Sequence, residues 1–431
     1  MILETDYLVV GAGAMGMAFA DTIFKEQPTS TITLVDQRPA PGGHWLDAYP
    51  YVRLHQPASF YGVNSEPLET SRGDLSSKQE ILSYYSRVLS RMEKAGRVRF
   101  FGMTEHTDNG HMRSIVDPHK KVKFEIKKRL VDSTYMKVEV PSTTPPKFEV
   151  SNNVRLVPPN HLFSLSTSFE RYNIIGAGKT AVDAICFLID SGVPQEEIYW
   201  FVSQDSWFWN RELVQPPLVG KAFLALLNAV NENEFADDAF LELEKIGDVF
   251  RLDKEIIPAK WKCATISKKE LDTIRKIQNV IRKGRVKKVT KNNIFLEHGR
   301  EQNLEKSINI DCSAGGLDPR PEKKIFSENA ITLQSLMMCQ QVFSASIIAK
   351  IESLKLTTNE KNALISPVPH PEFANDLSKC LIQSFKNLDR VNRKFPVWMR
   401  MARLNGAAQQ NLFSYLADGV KALKLIRRAN I

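Results

Sequence analysis

Two glycine-rich turns are the segments of this sequence whose residue types and spacing could do chemistry. The first, GAGAMG, spans residues 11–16 after the apolar run YLVV, and the second, GAGKTA, spans residues 176–181 after YNII. In such turns the first glycine permits a tight bend, the second lets the backbone approach a pyrophosphate, and a small third residue lets a helix pack on the strand. The N-terminus of that helix offers free N–H groups to phosphates. The sequence therefore predicts two dinucleotide-binding sites in one chain.

A carboxylate follows the first turn at the distance expected for a nucleotide ribose. Asp36 lies 20 residues beyond Gly16, at the end of the run TITLVD. An acidic side chain at this spacing hydrogen-bonds the ribose hydroxyls of a bound dinucleotide. The predicted residues of the first site are Gly11, Gly13, Ala14, Met15, Gly16, Asp36 and Gln37.

The second turn differs from the first at the ribose position. The strand EIYWFV runs into Ser203 and Gln204, so no carboxylate there would repel a 2′-phosphate. Lys179 and Arg211 add positive charge, which favours NADPH and leaves NADH possible. A phosphate-binding loop of the NTPase type is excluded, because it requires a glycine where Asn173 stands. The predicted residues of the second site are Gly176, Gly178, Lys179, Thr180, Ser203 and Arg211.

Composition and charge restrict the classes of partner. The chain has 431 residues, 43% hydrophobic content and a formal charge of +9, which is enough for two or three domains. Its densest basic run, residues 120–129, alternates charges with Val122, Phe124 and Ile126, which is typical of a half-buried strand. We therefore predict a small-molecule substrate and no nucleic-acid partner. The oligomeric state is left open.

The cysteines and histidines indicate no metal or dithiol site. The five cysteines lie at least 27 positions apart and form no CxxC motif, and an odd, scattered set suits a reducing compartment. The histidines show no metal-ligand spacing. Because neither an export signal nor a membrane-spanning apolar run is apparent, we predict a soluble, cytoplasmic protein without a transmembrane segment.

Two dinucleotide sites in one chain favour a flavoenzyme, in which one site holds FAD permanently and the other brings a nicotinamide cofactor to reduce it. The predicted fold class is α/β, with two Rossmann-type domains, an antiparallel β insertion and a helical C-terminal region. Residues 1–165 form the first part of the FAD-binding domain, with the insertion at about 107–160. Residues 166–304 form the NAD(P)-binding domain, with a helical insertion at about 218–283 that includes a helix from Ser267 to Gly284. Residues 305–431 return to the FAD domain and end in helices.

These features resemble the two-dinucleotide-binding-domain flavoproteins, the group that contains the flavin-containing and Baeyer–Villiger monooxygenases. The resemblance covers both glycine turns and INIDCSAGGL (308–317), a strand that in this group brings its following turn against the flavin. More narrowly, GGHW, VRLHQPASFYGVNS, VDSTYMKVEVPS, GAGKTAVDA and DCSAGGLDPRP resemble a bacterial group of uncharacterised FAD/NAD(P)-dependent oxidoreductases. That narrower resemblance runs nearly end to end and brings no known substrate.

The resemblance assigns further residues to the cofactors. In GGHW, Gly43, His44 and Trp45 would lie along the FAD, and the turn of Ala314, Gly315 and Gly316 would contact the flavin. His55 and Gln56 are the candidate catalytic residues, because they could hydrogen-bond flavin or substrate and His55 could carry protons. For His55 a purely structural role is the alternative.

Two departures bear on the reaction. The FxGxxxH string of Baeyer–Villiger enzymes occurs only at residues 100–106, about 70 residues upstream of the second turn, and the CxxC of disulfide reductases is absent. The expected activity is that of an FAD- and NAD(P)H-dependent oxidoreductase, with monooxygenation of a small organic substrate as the second half-reaction. A reductase that passes electrons to a quinone or protein acceptor, and a non-catalytic FAD-binding sensor, are the alternatives.

Overall fold

The computed structural model describes residues 2–68, 75–108, 110–216 and 218–428. Its strands are β1 (Ile2–Val10), β2 (Ile32–Val35), β3 (Val98–Phe101), β4 (Thr104–Asp108), β5 (His111–Ser114), β6 (Lys121–Asp132), β7 (Val138–Glu139), β8 (Glu149–Val150), β9 (Leu156–Val157), β10 (Arg171–Ile175), β11 (Ile198–Phe201), β12 (Ser206–Asn210), β13 (Val249–Phe250), β14 (Lys260–Ile266), β15 (Asn279–Ile281), β16 (Val286–Val289), β17 (Asn293–Leu296), β18 (Gly299–Gln302), β19 (Ser307–Asp311), β20 (Gly316–Leu317) and β21 (Ala330–Thr332). Its helices are α1 (Ala14–Glu26), α2 (Lys78–Lys94), α3 (Lys179–Asp190), α4 (Val219–Glu232), α5 (Ala236–Lys245), α6 (Lys268–Ile274), α7 (Gln341–Glu352), α8 (Thr358–Leu364), α9 (Leu377–Lys394), α10 (Pro396–Met401) and α11 (Leu412–Arg428).

The first sheet has the parallel order β3-β2-β1-β6, and β21 pairs with the end of β6. Apolar residues of α1, α2 and α7 share one core with β1 and β2. The other face of β1 packs against the antiparallel strands β4, β5 and the first half of β6. Since the parallel strands end at one edge, the turn after β1 and the loop after β2 meet there.

The second sheet has the parallel order β15-β11-β10-β19-β9. Its core on one face includes residues of α3 and α6, and a smaller core on the other face includes residues of β16 and β17. Two parallel sheets, each with a glycine turn leading into a helix, and a helical C-terminal region confirm the predicted fold class. The predicted half-buried strand in the basic run is confirmed as the first part of β6, whose residues alternate between exposed and less exposed.

The strand INIDC does not return to the first sheet as expected. It forms β19, which pairs in parallel with β10 and so lies in the second sheet. The side-chain amide of Asn173 donates to the Asn309 oxygen at 3.0 Å, in the ladder between these two strands. The strand that returns to the first sheet is β21, and β20 pairs with β7 in an antiparallel ribbon.

Two insertions also differ from their predicted form. Of the segment at 107–160, β4, β5 and β6 form an antiparallel meander, whereas β7, β8 and β9 join three other sheets. The segment at 218–283 is not entirely helical, because β13 and β14 pair with β12. The helix after Ser267 ends at Ile274 instead of Gly284, since residues 279–281 pair with β11 as an edge strand. Pairing with a neighbouring strand here outweighs local helix propensity.

Helices α4, α5, α9 and α11 enclose a third core with β12 and β14, built around Trp207, Phe240 and Trp261. Helix α7 packs on α1 and carries the chain towards the C-terminal helices. Within the described residues, no helix is both long enough and apolar enough to cross a membrane.

Candidate cofactor site

Both glycine turns open onto one cavity of about 1500 Å³, which is lined by Gly11 and Gly13 of the first turn and by Gly176 and Gly178 of the second. Pockets for a single small molecule typically measure roughly 300–1000 Å³. The cavity is therefore large enough for more than one ligand, and both turns lie on its wall.

The first turn contains glycines of two kinds. Gly11 has a φ of +97°, and an added Cβ would lie 2.6 Å from the Ser133 hydroxyl oxygen. A Cβ on Gly16 would overlap the Gly11 carbonyl oxygen, so the fold itself requires both glycines. Gly13 has an ordinary φ of −75°, and among the described residues an added Cβ would contact only the Gly43 Cα, at 3.6 Å. The space that a side chain at Gly13 would fill belongs to the cavity.

The glycines of the second turn differ from each other in the same way. Gly176 has a φ of +132°, and a Cβ there would lie 2.5 Å from the Cys312 carbonyl oxygen. Gly178 has a φ of −92°, and an added Cβ would meet no described atom within 4 Å. Ala181, in the third position, is fully buried against the sheet. At both turns the space beside the second glycine is not filled by the protein's own packing and is therefore available to a ligand.

The helices after the two turns begin without a side-chain cap. No described side chain caps α1 or α3, which start after Gly13 and Gly178. Among the other described helices, α2, α6 and α8 begin with a capping box, whereas α4, α5, α7, α9 and α10 also begin without a side-chain cap. The first backbone N–H groups of a helix have no partner within the helix. Ala14, Met15 and Thr180, which were predicted to contact a cofactor, lie at these uncapped ends and line the cavity.

Asp36 lies at the edge of the first sheet, where the ribose-binding acid was predicted. It is buried, and its two oxygens accept the N–H groups of Ala12 (2.7 Å) and Arg38 (2.8 Å). Because each carboxylate oxygen can accept more than one hydrogen bond, Asp36 can still bind hydroxyls. Gln37, the next residue, is exposed and also lines the cavity.

The GGHW loop closes over the first turn. The Gly42 N–H donates to the Ala12 carbonyl at 2.9 Å, and a Cβ on Gly43 would lie 2.8 Å from the Gly13 Cα. Trp45 is buried, and its indole N–H donates to the Tyr61 hydroxyl at 2.6 Å. The loop therefore forms a second wall of the first site, and shielding of a cofactor by Trp45 stays a prediction.

His44 is held in the neutral form by its surroundings. Burial is the main cause and the charge of Arg38 adds to it, and together they lower the pKa of His44 to about 4. The ring stacks on Trp45. His44 lies on the cavity wall as predicted, as an uncharged hydrogen-bonding group.

Lys179 and Arg211 are committed to carboxylates of the protein. Lys179 forms ion pairs with Asp183, one helical turn on, and with Glu270 at 2.9 Å. Arg211 pairs with the same Glu270 at 2.7 Å. Burial alone would raise the pKa of Glu270, but the two cations lower it to about 2. These cations, predicted to bind a 2′-phosphate, therefore already have charged partners.

Arg285 is a residue that sequence reasoning missed. Ser203 and Gln204 follow β11, and the Val202 N–H donates to the Ile281 carbonyl at 2.9 Å, so the residues after β15 lie beside them. Arg285 follows β15, is exposed and lines the cavity together with Ser203. The described chain gives its side chain no ion-pair partner within 4 Å. Because residues 279–281 were expected to belong to a helix, their pairing beside β11 could not be anticipated from the sequence.

His55 and Gln56 lie on the cavity wall between the two turns. The His55 carbonyl accepts the Arg211 Nε–H at 3.1 Å, which ties this segment to the Lys179–Glu270 cluster. Burial, together with the charges of Lys179 and Arg211, lowers the pKa of His55 to about 3. A general acid or base works best with a pKa near the working pH. The structure therefore favours a neutral, hydrogen-bonding His55 over the proton carrier that was considered from the sequence.

The turn after β19 reaches the cavity although its strand lies in the second sheet. Ala314, Gly315 and Gly316 all line the cavity wall. A Cβ on Gly315 would lie 3.0 Å from the Glu139 carboxylate, across the β7–β20 ribbon. The contact of this turn with a cofactor stays a prediction.

A disulfide joins Cys263 and Cys339 on the wall of the same cavity. Cys263 lies on β14 and Cys339 lies two residues before the start of α7, at a separation of 76 positions in the sequence. The spacing of the cysteines did not predict this pair, because only the packing of β14 against the start of α7 brings them together.

Comparisons with known proteins give relatives along most of the chain, although no protein-family model matches it. An uncharacterized protein of Mycobacterium tuberculosis is 37% identical over 421 residues, which cover 94% of this chain and 78% of that protein. A protein of Mycobacterium bovis gives the same values. The chain belongs to the family of these mycobacterial proteins. A probable FAD-binding monooxygenase of Acinetobacter baylyi, AlmA, is 31% identical over 96 residues, 22% of this chain and 19% of that protein.

Solved structures share the fold at low sequence identity. An open structure of cyclohexanone monooxygenase is 14% identical with a TM-score of 0.54, over 81% of this chain and 87% of that chain. Polycyclic ketone monooxygenase of Thermothelomyces thermophila is 11% identical with a TM-score of 0.53, over 98% and 88%. At these identities the likeness shows the fold, which is that of the flavin monooxygenases. The resemblance predicted from the sequence is confirmed in both its broad and its narrow form.

Proposed function

We propose that this protein is an FAD-dependent oxidoreductase that is reduced by NADPH and oxygenates a small organic substrate. The observation that carries the proposal is the pair of glycine turns on one cavity. At each turn the second glycine has an ordinary φ and an open side, and the helix behind it has no side-chain cap. A ligand with a pyrophosphate would use both the space and the free N–H groups.

The residues of the first turn are suited to FAD. The N–H groups of Ala14 and Met15 would bind the pyrophosphate, and Asp36 would accept the ribose hydroxyls. FMN lacks the adenosine ribose and the pyrophosphate, so it would leave Asp36 without a ligand. The GGHW loop would exclude water from this cofactor and retain it between turnovers.

The residues of the second turn are suited to a nicotinamide cofactor that exchanges. Gly178 and the N–H groups of Lys179 and Thr180 would bind its pyrophosphate. Ser203 and Arg285 would bind at the ribose edge, because a neutral donor and a cation without an ion-pair partner among the described residues suit the 2′-phosphate of NADPH. The solved steroid monooxygenase that shares the fold, with a TM-score of 0.50 and 14% identity, contains NADP, which agrees with this assignment.

When bound, FAD supplies hydride acceptance from the nicotinamide and activation of dioxygen. The chain itself contributes position and electrostatics. Lys179 lines the cavity and keeps its charge through the ion pair with Glu270, which Arg211 also contacts. A neutral His55 would offer hydrogen bonds without exchanging a proton near neutral pH. Substrate would enter the cavity beside these groups.

A reductase is the second candidate function, and the Cys263–Cys339 disulfide is the observation that favours it. Reduction of this disulfide would consume two electrons and two protons and would yield two thiols. The electrons would come from NADPH through the bound flavin. The thiols would then pass them to a disulfide-containing acceptor.

Three measurements on the purified protein test these functions. Heat release should give a yellow supernatant that chromatographs as FAD; FMN or no flavin would contradict the first assignment.

NADPH should then be oxidised with consumption of dioxygen and slow release of hydrogen peroxide when no substrate is present. Oxidation that is indifferent to oxygen, with two new thiols after anaerobic NADPH, would favour the reductase, and a Cys263→Ser/Cys339→Ser variant is its control. A flavin that NADPH does not reduce would indicate a sensor.

A further inference from the structure

The positive charge of this protein is concentrated at its C-terminal end. Residues 386–428 contain ten Lys and Arg against two Asp, a formal charge of +8 out of +9 for the whole chain. These residues form the end of α9, α10 and α11. The rest of the molecule is therefore close to neutral, and one region carries the basic character.

The same region exposes large apolar side chains. Phe413 and Met401 are 86% and 78% exposed, and the others that are at least half exposed between residues 397 and 420 are Val397, Leu412, Leu416 and Val420. A scattered apolar side chain needs no explanation, but a contiguous exposed group marks an interaction surface. We call these six side chains the C-terminal apolar face.

On α11 the apolar and basic side chains follow one another along one side. Phe413, Leu416 and Val420 are three to four residues apart and so share a face of the helix, and Lys424 and Arg427 continue that spacing. Lys421, Lys424 and Arg427 have no acidic group within salt-bridge distance in the part of the chain that the structure describes. Their charges are available to an external partner.

An apolar groove of about 640 Å³ opens at this face. Val397, Met401, Leu416 and Val420 line it together with residues of α4, α7 and α9. A further set of residues lines both the groove and the cofactor cavity, namely Val219, Phe223, Met338 and Gln340. The groove therefore adjoins the cavity that contains the two glycine turns.

We propose that the C-terminal apolar face docks on an anionic lipid bilayer. An amphipathic helix with exposed apolar residues and flanking Lys and Arg lies in the plane of a membrane surface, with its apolar side among the acyl chains. The negative potential of anionic lipids attracts the basic residues within about a Debye length. Phe413, Leu416 and Val420 would enter the interface while Lys421, Lys424 and Arg427 contact the headgroups.

Charge favours an anionic bilayer over a second copy of the chain as the partner of this face, and the apolar side chains favour it over a nucleic acid. A second copy of the chain would bring a region of +8 against the same region, which disfavours a symmetric dimer through this face. A nucleic acid would satisfy the basic residues but would leave Val397, Met401 and Leu416 facing water or phosphates. Only a partner that is both anionic and apolar suits both sets of side chains, and an anionic bilayer is that partner.

The test is co-sedimentation of the whole protein with vesicles, which does not depend on the cofactors or on the proposed function. Binding to phosphatidylcholine vesicles that contain phosphatidylglycerol should be strong and should weaken with salt, and binding to pure phosphatidylcholine should be weak. Each basic residue near an anionic surface strengthens binding by about fivefold. Lys421→Glu/Lys424→Glu/Arg427→Glu should therefore weaken binding by at least ~100-fold, and Phe413→Ser/Leu416→Ser by roughly 10-fold.

The matched control is Lys120→Glu/Lys121→Glu/Lys123→Glu, which makes the same change of net charge at exposed positions just before β6 and at its start. It should bind vesicles within about twofold of the parent, because these residues are not part of the proposed docking face. Equal losses in both triple variants would overturn the proposal, since net charge alone would then explain binding. Equal binding to neutral and anionic vesicles would also overturn it, as would absence of vesicle binding with a dimer that Phe413→Ser/Leu416→Ser dissociates.

Discussion

The two glycine turns share a sequence pattern and differ in what surrounds them. At the first turn the GGHW loop lies against Gly13, with the Gly42 N–H bonded to the Ala12 carbonyl at 2.9 Å, and the buried Asp36 accepts the Ala12 N–H. At the second turn an added Cβ on Gly178 meets no described atom within 4 Å, and the neighbouring charges are paired with one another. The first site is walled on a second side, whereas the second is open.

This difference agrees with the proposed division of labour. A cofactor enclosed by a second loop dissociates slowly, because the loop must move before the ligand can leave. A cofactor in an open turn can exchange in every catalytic cycle. On this proposal, the GGHW loop would retain the cofactor at the first turn, and the open second turn would let its cofactor exchange.

The largest expected effect comes from the second glycine of the first turn. Gly13→Val should yield a folded protein without FAD, because the backbone there has an ordinary φ and the new side chain would occupy the space of the pyrophosphate. The measurement is the flavin-to-protein absorbance ratio beside far-ultraviolet circular dichroism. The comparison variant is Gly16→Ala, which should lose folded protein altogether, since its Cβ overlaps the Gly11 carbonyl. Full flavin in folded Gly13→Val would refute the assignment of the first site.

The corresponding change in the second turn should separate the two sites. Gly178→Val should keep FAD and lose NADPH-driven flavin reduction by at least ~100-fold, while dithionite still reduces the flavin at the parental rate. Gly176→Ala, in contrast, should disturb the fold, because its Cβ would lie 2.5 Å from the Cys312 carbonyl oxygen. If Gly178→Val is reduced by NADPH as fast as the parent, the two turns do not divide the labour as proposed.

Cofactor preference should depend on Arg285 more than on Lys179 or Arg211. A charge-assisted contact contributes ~1.5–3 kcal/mol, or roughly 10- to 150-fold in affinity. Arg285→Ala should therefore lower the ratio of kcat/KM for NADPH over NADH by at least ~10-fold. Lys179→Ala and Arg211→Ala should leave that ratio nearly unchanged, because Glu270 already pairs with both cations. If Lys179→Ala lowers the ratio of kcat/KM for NADPH over NADH and Arg285→Ala does not, the result would contradict the role of Arg285 and support the 2′-phosphate site predicted from the sequence.

The smallest effect concerns the histidine beside each turn. The pKa of His44 is lowered to about 4 and that of His55 to about 3, against about 6.5 in the unfolded chain. The contribution of each neutral histidine to the free energy of unfolding is therefore fully present above about pH 6.5. It falls as the pH is lowered towards the pKa in the folded protein, by at most ~1.4 kcal/mol per pH unit for each histidine. The melting temperature of the parent should fall between about pH 7 and about pH 5, and His44→Gln and His55→Gln should each show a shallower slope. Slopes identical to the parent would show that these rings titrate normally.

Local patterns predicted much of the first site. Gly11, Gly13, Gly16 and Asp36 lie where the spacing put them, because a turn, a helix start and the end of the next parallel strand are fixed by neighbouring residues in the chain. The capping box of Ser77 and Glu80 at the start of α2 is likewise local, since it joins residues three positions apart. The ion pairs of Lys179 and Arg211 at the second site could not be predicted in this way, because their partner Glu270 is distant in the sequence and lies 91 residues beyond Lys179.

The sequence by itself determined the fold class, the two turns and the alternation of the basic strand, since each of these depends on periodicity or on residues a few positions apart. Only the tertiary structure decided that INIDC joins the second sheet, that Cys263 meets Cys339, and that Arg285 and Ser203 line the same cavity. The tertiary structure also decided which basic residues lie near exposed apolar side chains. The densest basic run forms one face of a strand, whereas the C-terminal Lys and Arg share a surface with six exposed apolar side chains. The physical reason is that strand pairing, ion pairing and surface exposure depend on contacts between segments far apart in the chain, which no local pattern records.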